Sequence, residues 1–104
     1  MLSISDIENW LRDYGISNYH ISEDFYVSVQ GNVNLSEKLK GQKLPIKFDR
    51  IDGYFDISNN ELPSLEGCPK IVMKEFNCSY NKLTSLFDCP IEVGDFDCSH
   101  NNLK

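Results

Sequence analysis

Four cysteines and two histidines are the side chains of this 104-residue chain with the chemistry to hold a metal ion. The six residues are Cys68, Cys78, Cys89, Cys98, His20 and His100. The cysteines stand nine to eleven positions apart, so none forms the Cys-x-x-Cys pair from which zinc sites are usually built. We therefore expect no metal and no other cofactor.

Catalysis has equally little support. His20 and His100 lie in no motif with a nucleophile, and His100 occupies a variable position of a repeat. The six glycines are scattered one per turn and form no phosphate-binding loop. We expect a protein that is not an enzyme.

The charge balance is acidic, with sixteen acidic and ten basic residues, a formal net charge of -6 and a pI near 4.7. Binding to a phosphate backbone needs clustered Lys and Arg, so direct nucleic-acid binding is not expected and a basic protein partner suits the chain better. The amino terminus lacks the features of a signal peptide, and no apolar run approaches the roughly twenty residues of a membrane span. We expect a cytoplasmic protein that does not enter a membrane.

An internal repeat defines the elements that must position these side chains. Residues 55–62, 76–83 and 96–103 share one frame: aromatic, polar, small apolar, Ser, variable, Asn, variable, Leu. Their starts are 21 and 20 positions apart, and a fainter copy begins at Val33. Alternation along an extended chain places the aromatic and the small apolar residue on one face, so the frame predicts one short strand per coil. Such coils stack their strands in parallel into a solenoid.

Asn60, Asn81 and Asn101 occur where each strand must turn. A buried amide there can bond to backbone groups that the turn leaves unpaired, so we expect a ladder of asparagine amides along the stack. Pro69 and Pro90 favour an extended, non-helical return on the convex side of each coil. The predicted coil is half strand and half extended loop.

The repeat also explains the cysteines. Cys78 and Cys98 take the place of Ile57, and Cys68 matches Cys89, so all four are expected to be small apolar core residues. Equivalent positions on neighbouring coils lie about 5 Å apart, close to the Cα separation of a disulfide, so oxidation could bridge either matched pair. In a reducing cytoplasm we expect free thiols.

The frame Phe-x-Cys-Ser-x-Asn-x-Leu-x-Ser-Leu resembles the leucine-rich-repeat consensus over residues 33–104. The phrase Ser-Leu-Glu-Gly-Cys-Pro-Lys at residues 64–70 is also similar to the short repeats of small phage-encoded and bacterial repeat proteins. The resemblance implies an α/β solenoid, a short leucine-rich-repeat coil stack with parallel strands. It also implies protein recognition by the concave strand face, in the host cytoplasm if the protein is phage-encoded.

Residues 1–32 differ from the repeats and are predicted to form a cap for the solenoid of residues 33–104. Ser5 and Glu8 form a capping-box pattern, and apolar residues at helical spacing predict a helix over residues 6–14. This helix would cover the apolar side chains of the first coil.

Within the cap, Trp10 is predicted to be a core residue, with a recognition anchor as the alternative. Residues 25–29 and 33–35 are predicted to be strands joined by a tight turn, which would give a β-hairpin beside the helix. The cap is therefore a helix plus a hairpin.

The opposite end is expected to be open. No polar capping segment follows Phe96, Cys98 and Leu103 in the sequence, so these side chains should lie on an uncovered coil. A second copy of the chain could pair there with two-fold symmetry, a partner protein could dock there, or the coil could fray.

The outward residues of the strands form the predicted binding surface. They make one column through Asn34, Asp56, Asn77 and Asp97 and another through Asn59, Tyr80 and His100. Tyr80 and His100 offer large contact area at small entropy cost, and the acids attract a basic patch. The predicted partner-binding residues are Asp56, Asn59, Glu75, Asn77, Tyr80, Asp95, Asp97 and His100.

The favoured function is a protein-protein interaction module, a small inhibitor or adaptor that binds a host or cellular protein through its acidic concave face. One alternative is a self-associating structural protein that dimerises through Phe96, Cys98 and Leu103. Another is an acidic mimic of nucleic acid, although the acids form no long double row.

Overall fold

The computed structural model describes residues 3–103. In this range one helix is followed by seven strands, which join into one sheet. The elements are α1 (Ile4–Asp13), β1 (Tyr19–Ile21), β2 (Tyr26–Val29), β3 (Val33–Asn34), β4 (Lys47–Ile51), β5 (Phe55–Asp56), β6 (Ile71–Asn77) and β7 (Glu92–Asp97). No helix within residues 3–103 has the length and apolar character needed to cross a membrane.

The strands stack as a β-solenoid-like coil of about three turns, which confirms the predicted parallel arrangement. β3 pairs with β5, β5 with β6 and β6 with β7, all in parallel. The registers align Val33, Phe55, Phe76 and Phe96 side by side. The repeat period of the sequence is therefore the length of chain between neighbouring coils.

The return segment of each coil is more regular than the predicted extended loop. β4 pairs in parallel with β2 on one side and with β6 on the other, and β6 pairs with β7 from Ile71 and Glu92 onward. The prediction of a coil that is half loop is therefore wrong for the residues that follow Pro69 and Pro90. Proline removes only its own N–H and restricts only its own φ, so strand pairing resumes two residues later.

The change of repeat length from 21 to 20 residues is accommodated at Gly94. The register between β6 and β7 shifts between Val72 and Glu75, where Met73 and Lys74 lie opposite the single glycine. A Cβ at position 94 would lie 2.7 Å from the carbonyl oxygens of both Met73 and Lys74. The bulge of β6 therefore requires glycine in the strand beside it.

Asparagine amides link the coils, as predicted. Asn81 Nδ2 donates to the carbonyl oxygens of Cys78 in its own coil and Ile57 in the preceding coil, both at 3.0 Å. Its Oδ1 accepts from the backbone N–H groups of Asn60 (3.0 Å) and Leu62 (2.9 Å). The asparagines of the neighbouring coils make equivalent bonds. The ladder is confirmed, and it satisfies backbone groups that the turns would otherwise bury unpaired.

The helix begins two residues earlier than predicted. Its N-cap is Ser3, whose hydroxyl accepts from the Asp6 N–H while the Asp6 carboxylate accepts from the Ser3 N–H, both at 3.1 Å. The predicted capping box at Ser5 and Glu8 is therefore wrong. Both pairs fit the pattern, and the earlier start lengthens the helix.

The predicted hairpin is also wrong. β1 and β2 form the hairpin, with His20 opposite Ser28, whereas β2 and β3 pair in parallel with β4 and β5 of the next coil. At the predicted turn, Asn32 Oδ1 accepts from the Tyr54 N–H at 2.9 Å, which ties the chain to the next coil. The chain bends there and continues along the first coil instead of reversing.

The helix covers the first coil, which is the predicted capping role. Ile7 and Leu11 are buried. The ring centroid of Trp10 lies 6.4 Å from that of Phe48, the first of four phenylalanine rings that follow one another along the stack at 5.1, 5.9 and 5.5 Å. Trp10 is therefore a core residue, as expected.

Candidate binding surfaces

The strands carry the predicted polar column. Asn34, Asp56, Asn77 and Asp97 are direct neighbours in the parallel registers of β3, β5, β6 and β7. Asn34 is exposed and the other three are half-buried. The structure thus brings Asp56, Asn77 and Asp97 together on one line, as the repeat frame predicts.

Each of these three residues also holds the serine two positions later. Asp97 Oδ1 accepts from the N–H (3.0 Å) and the hydroxyl (2.7 Å) of Ser99, and Asp56 and Asn77 bind their serines in the same way. The Ser99 hydroxyl, and then its N–H, lower the pKa of the Asp97 carboxyl. Within residues 3–103 the other carboxylate oxygen of Asp56 and of Asp97 accepts no hydrogen bond. One oxygen of each carboxylate therefore fixes the side chain, and the other is left to meet a ligand.

The second predicted column runs along the turns. Asn59, Tyr80 and His100 have φ of 58°, 55° and 56°, a left-handed conformation that is strained for tyrosine and histidine. The Tyr80 N–H donates to the Ser99 carbonyl oxygen at 3.1 Å, which ties this turn to the next coil. The rings of Tyr80 and His100 stack with centroids 4.1 Å apart and planes inclined by 10°, and 53% of Tyr80 is exposed. The result is an exposed aromatic pair at a fixed position beside the polar column.

Two further acids extend the surface. Glu75 and Asp95 are exposed and lie side by side on β6 and β7. The ion pairs found within residues 3–103 involve other acids, so the charges of these two are not neutralised by a neighbouring cation there. Like charges on neighbouring strands repel, and a basic ligand would relieve that repulsion. We call the surface made of the eight predicted partner-binding residues the strand face.

The coil that contains β7 has exposed apolar side chains. Phe96 is 37% exposed and Leu103 38%, whereas Phe76 and Leu83 at the same positions of the preceding coil are fully buried. Cys98 is half-buried. These are the three residues predicted to lie on an open end, and the structure places them there.

Sequence reasoning missed two apolar residues of the same coil. Phe87 and Ile91 are each 79% exposed. In the preceding coil the same repeat positions hold Glu66 and Lys70, which are also exposed. The exchange of a charged pair for an apolar pair at solvent positions was the signal that could have identified them.

The cysteines are core residues with free thiols. Cys68 and Cys78 are buried, and Cys89 and Cys98 are half-buried. Burial raises the pKa of the Cys78 thiol to about 12 and also raises that of Cys68. Because the thiolate is the reactive form, these two thiols are inert at neutral pH. Within residues 3–103 no three His, Cys, Asp or Glu side chains are grouped so that they could hold a metal ion.

A groove of about 680 Å³ lies between the return segments of the coils. Lys47 and Lys70 each place Nζ 5.6 Å from the ring centroid of Tyr26 in its wall. Glu66 and Asp88 line the same groove, so its charges are mixed. These side chains do not converge on one point as in a small-molecule site.

The geometry therefore offers two surfaces for a macromolecular ligand, the strand face and the exposed coil of β7. The β-solenoid-like stack is a scaffold that positions both, and such a scaffold does not by itself specify a ligand. Comparison with protein-family models, with curated proteins and with solved structures finds no significant match.

Proposed function

We propose that the chain is a small interaction module of the leucine-rich-repeat type, without catalytic activity, that binds a basic protein through its strand face. The observation that carries the proposal is the exposed Tyr80–His100 stack beside acids that have no cationic neighbour within residues 3–103. A tyrosine supplies contact area with few rotamers to immobilise, and unpaired acids supply the charge that attracts a basic surface.

The rigidity of the strand face supports the same proposal. Asp56 and Asp97 are each held by two bonds to one serine, so a Lys or Arg of the partner meets a carboxylate that is already oriented. Binding to a preorganised surface avoids part of the entropy cost of association. The charges also speed the encounter with a basic partner, which suits a small inhibitor or adaptor acting in the cytoplasm of the cell, or of the host if the protein is phage-encoded.

The proposal is tested by removing charge without changing shape. In the triple variant Glu75→Gln, Asp95→Asn, Asp97→Asn, the fold should persist because Asn77 already binds its serine through an amide oxygen. Affinity capture from the source cell with the unmodified protein supplies the partner, and direct titration then compares the proteins. We expect about a tenfold or greater loss of affinity in the variant and a weaker dependence on salt.

A matched control removes three exposed acids elsewhere, by Asp13→Asn, Glu23→Gln and Asp24→Asn. This variant has the same net charge as the strand-face variant and should bind the captured partner with nearly unchanged affinity. A further variant, Tyr80→Asn, substitutes the residue that the preceding coil has at this position, so the left-handed turn is retained. If the partner binds all of these proteins alike, the strand face is not its site.

A further inference from the structure

The coil of β7 has the apolar side chains of an internal coil without a neighbour to bury them. Leu86, Val93 and Cys98 are half-buried, whereas Leu65, Val72 and Cys78 at the same positions of the preceding coil are buried. Phe96 and Leu103 show the same contrast. We call the surface made by Leu86, Val93, Phe96, Cys98 and Leu103 the terminal face.

The backbone at this face offers hydrogen-bond donors at a regular spacing. At the preceding junction, the N–H groups of Cys78 and Tyr80 donate to carbonyl oxygens of the next coil at 2.9 and 3.1 Å. At the junction before that, Ile57 and Asn59 do the same at the same distances. The equivalent N–H groups of Cys98 and His100 have no acceptor within residues 3–103, so a parallel strand laid on this edge would find two donors in register.

Phe87 and Ile91 indicate that the covering group extends beyond a strand. Their counterparts Glu66 and Lys70 remain exposed even though a coil is stacked on theirs. A further coil of the same shape would therefore leave Phe87 and Ile91 in water, and two neighbouring apolar side chains that are each 79% exposed are unfavourable there. A ligand that covers both the strand edge and the adjoining loop would bury them.

The charge of the edge selects the ligand. β7 carries Glu92, Asp95 and Asp97, all at outward or partly outward positions. A second copy paired by a two-fold axis would run antiparallel to β7 and would place these acids opposite acids. A strand with Lys or Arg at its outward positions would instead make opposite-charge pairs along the edge.

We propose that the terminal face binds an extended segment of a partner protein, with apolar residues directed at the core and basic residues outward, as a parallel strand added to β7. This site is separate from the strand face and does not depend on it, although Asp95 and Asp97 contribute charge to both. Phe87 and Ile91 contact the part of the segment that precedes its strand.

The probe is a synthetic peptide that copies residues 86–101 of this chain with its four acids changed to lysine and its two cysteines to alanine. The control peptide has the same cysteine changes and keeps its acids. We expect the basic peptide to bind about tenfold tighter or more than the acidic one, because three opposite-charge pairs replace three like-charge pairs. Amide hydrogen exchange at Cys98 and His100 should slow when the basic peptide is added.

The protein variant is Phe87→Glu with Ile91→Lys, which places at both positions the residues of the preceding coil and leaves the net charge unchanged. It should weaken binding of the basic peptide by about tenfold, because hydrophobic anchors carry much of the energy of an interface. Ile4→Lys, which removes an exposed apolar side chain of the helix at the other end of the stack, should have no effect.

Equal binding of the two peptides, binding of neither, or unchanged exchange at Cys98 and His100 would each overturn the proposal. So would a dimer of the protein alone that Phe87→Glu with Ile91→Lys dissociates, since a second copy would then cover the face. Tyr80→Asn leaves the terminal face intact, so loss of the captured partner in that variant bears only on the strand face.

Discussion

Replacing Asn81 with alanine tests whether the asparagine ladder holds the coils together. The side chain is buried and joins two turns, accepting from the N–H groups of Asn60 and Leu62 and donating to the carbonyl oxygens of Ile57 and Cys78. After truncation, the carbonyl of Ile57 keeps a bond from the Asn60 amide at 3.0 Å, and that of Cys78 keeps one from the next asparagine at 3.1 Å. The two N–H groups lose the amide oxygen that pairs them.

The expected magnitude follows from these two donors. Each buried N–H left without a partner costs about 1–3 kcal/mol, so the free energy of unfolding should fall by about 4 kcal/mol. A domain of this size has a total stability of about 5–15 kcal/mol, so the loss should be easily measured. Asn101→Ala is the matched control, because its amide oxygen accepts from Leu83 alone and at a half-buried site. It should cost about 1–2 kcal/mol.

The assay is urea unfolding followed by far-ultraviolet circular dichroism and by the fluorescence of the single tryptophan, Trp10. The two signals must give one transition for the free energies to be comparable, because solenoids can unfold in parts. The reasoning is refuted if Asn81→Ala costs less than about 1 kcal/mol. It is also refuted if the two alanine variants are equally stable.

Three further predictions concern the cap, the bulge and the thiols. Ser3→Ala should lower the free energy of unfolding by about 1 kcal/mol, whereas Ser5→Ala should change it little, since Ser3 is the N-cap. Gly94→Ala should cost about 1–3 kcal/mol in urea unfolding, because the new methyl group would overlap two carbonyl oxygens. Cys78, whose pKa burial raises to about 12, should resist alkylation at pH 8 while Cys89 reacts, as mass spectrometry can show. Because the folded form holds this proton more tightly than the unfolded form, the stabilisation is complete below pH 9 and should be lost as the pH rises toward 12.

The repeat frame predicted those features that depend on position within a coil. Phe76 and Cys78 are buried and Asn77 lies between them toward the surface, because side chains alternate along an extended chain. The buried Asn81 and its bonds to two coils followed from the need to pair the backbone at a turn. The stacking of Tyr80 on His100 follows the same register, since equivalent positions of parallel coils are neighbours.

Features that depend on the choice of pairing partner were not predictable. Both Ser3 and Ser5 precede an acid by three positions, and only the packing of the helix on the first coil distinguishes them. The three residues of β1 are too few to display a period. Residues 25–29 were correctly expected to be extended over most of their length, but an extended segment carries no statement of which strand it pairs with.

From its sequence alone, this protein has a repeating coil with a polar outer column, an amide at every turn and an acidic surface. These properties are local or summed over composition, so a single chain of letters contains them. The tertiary structure decided that the hairpin lies before the first coil, that the return segments join the sheet and that Phe87 and Ile91 are exposed together with the terminal face. Burial and strand pairing are relations between distant parts of a chain, and they exist only once the coils are stacked.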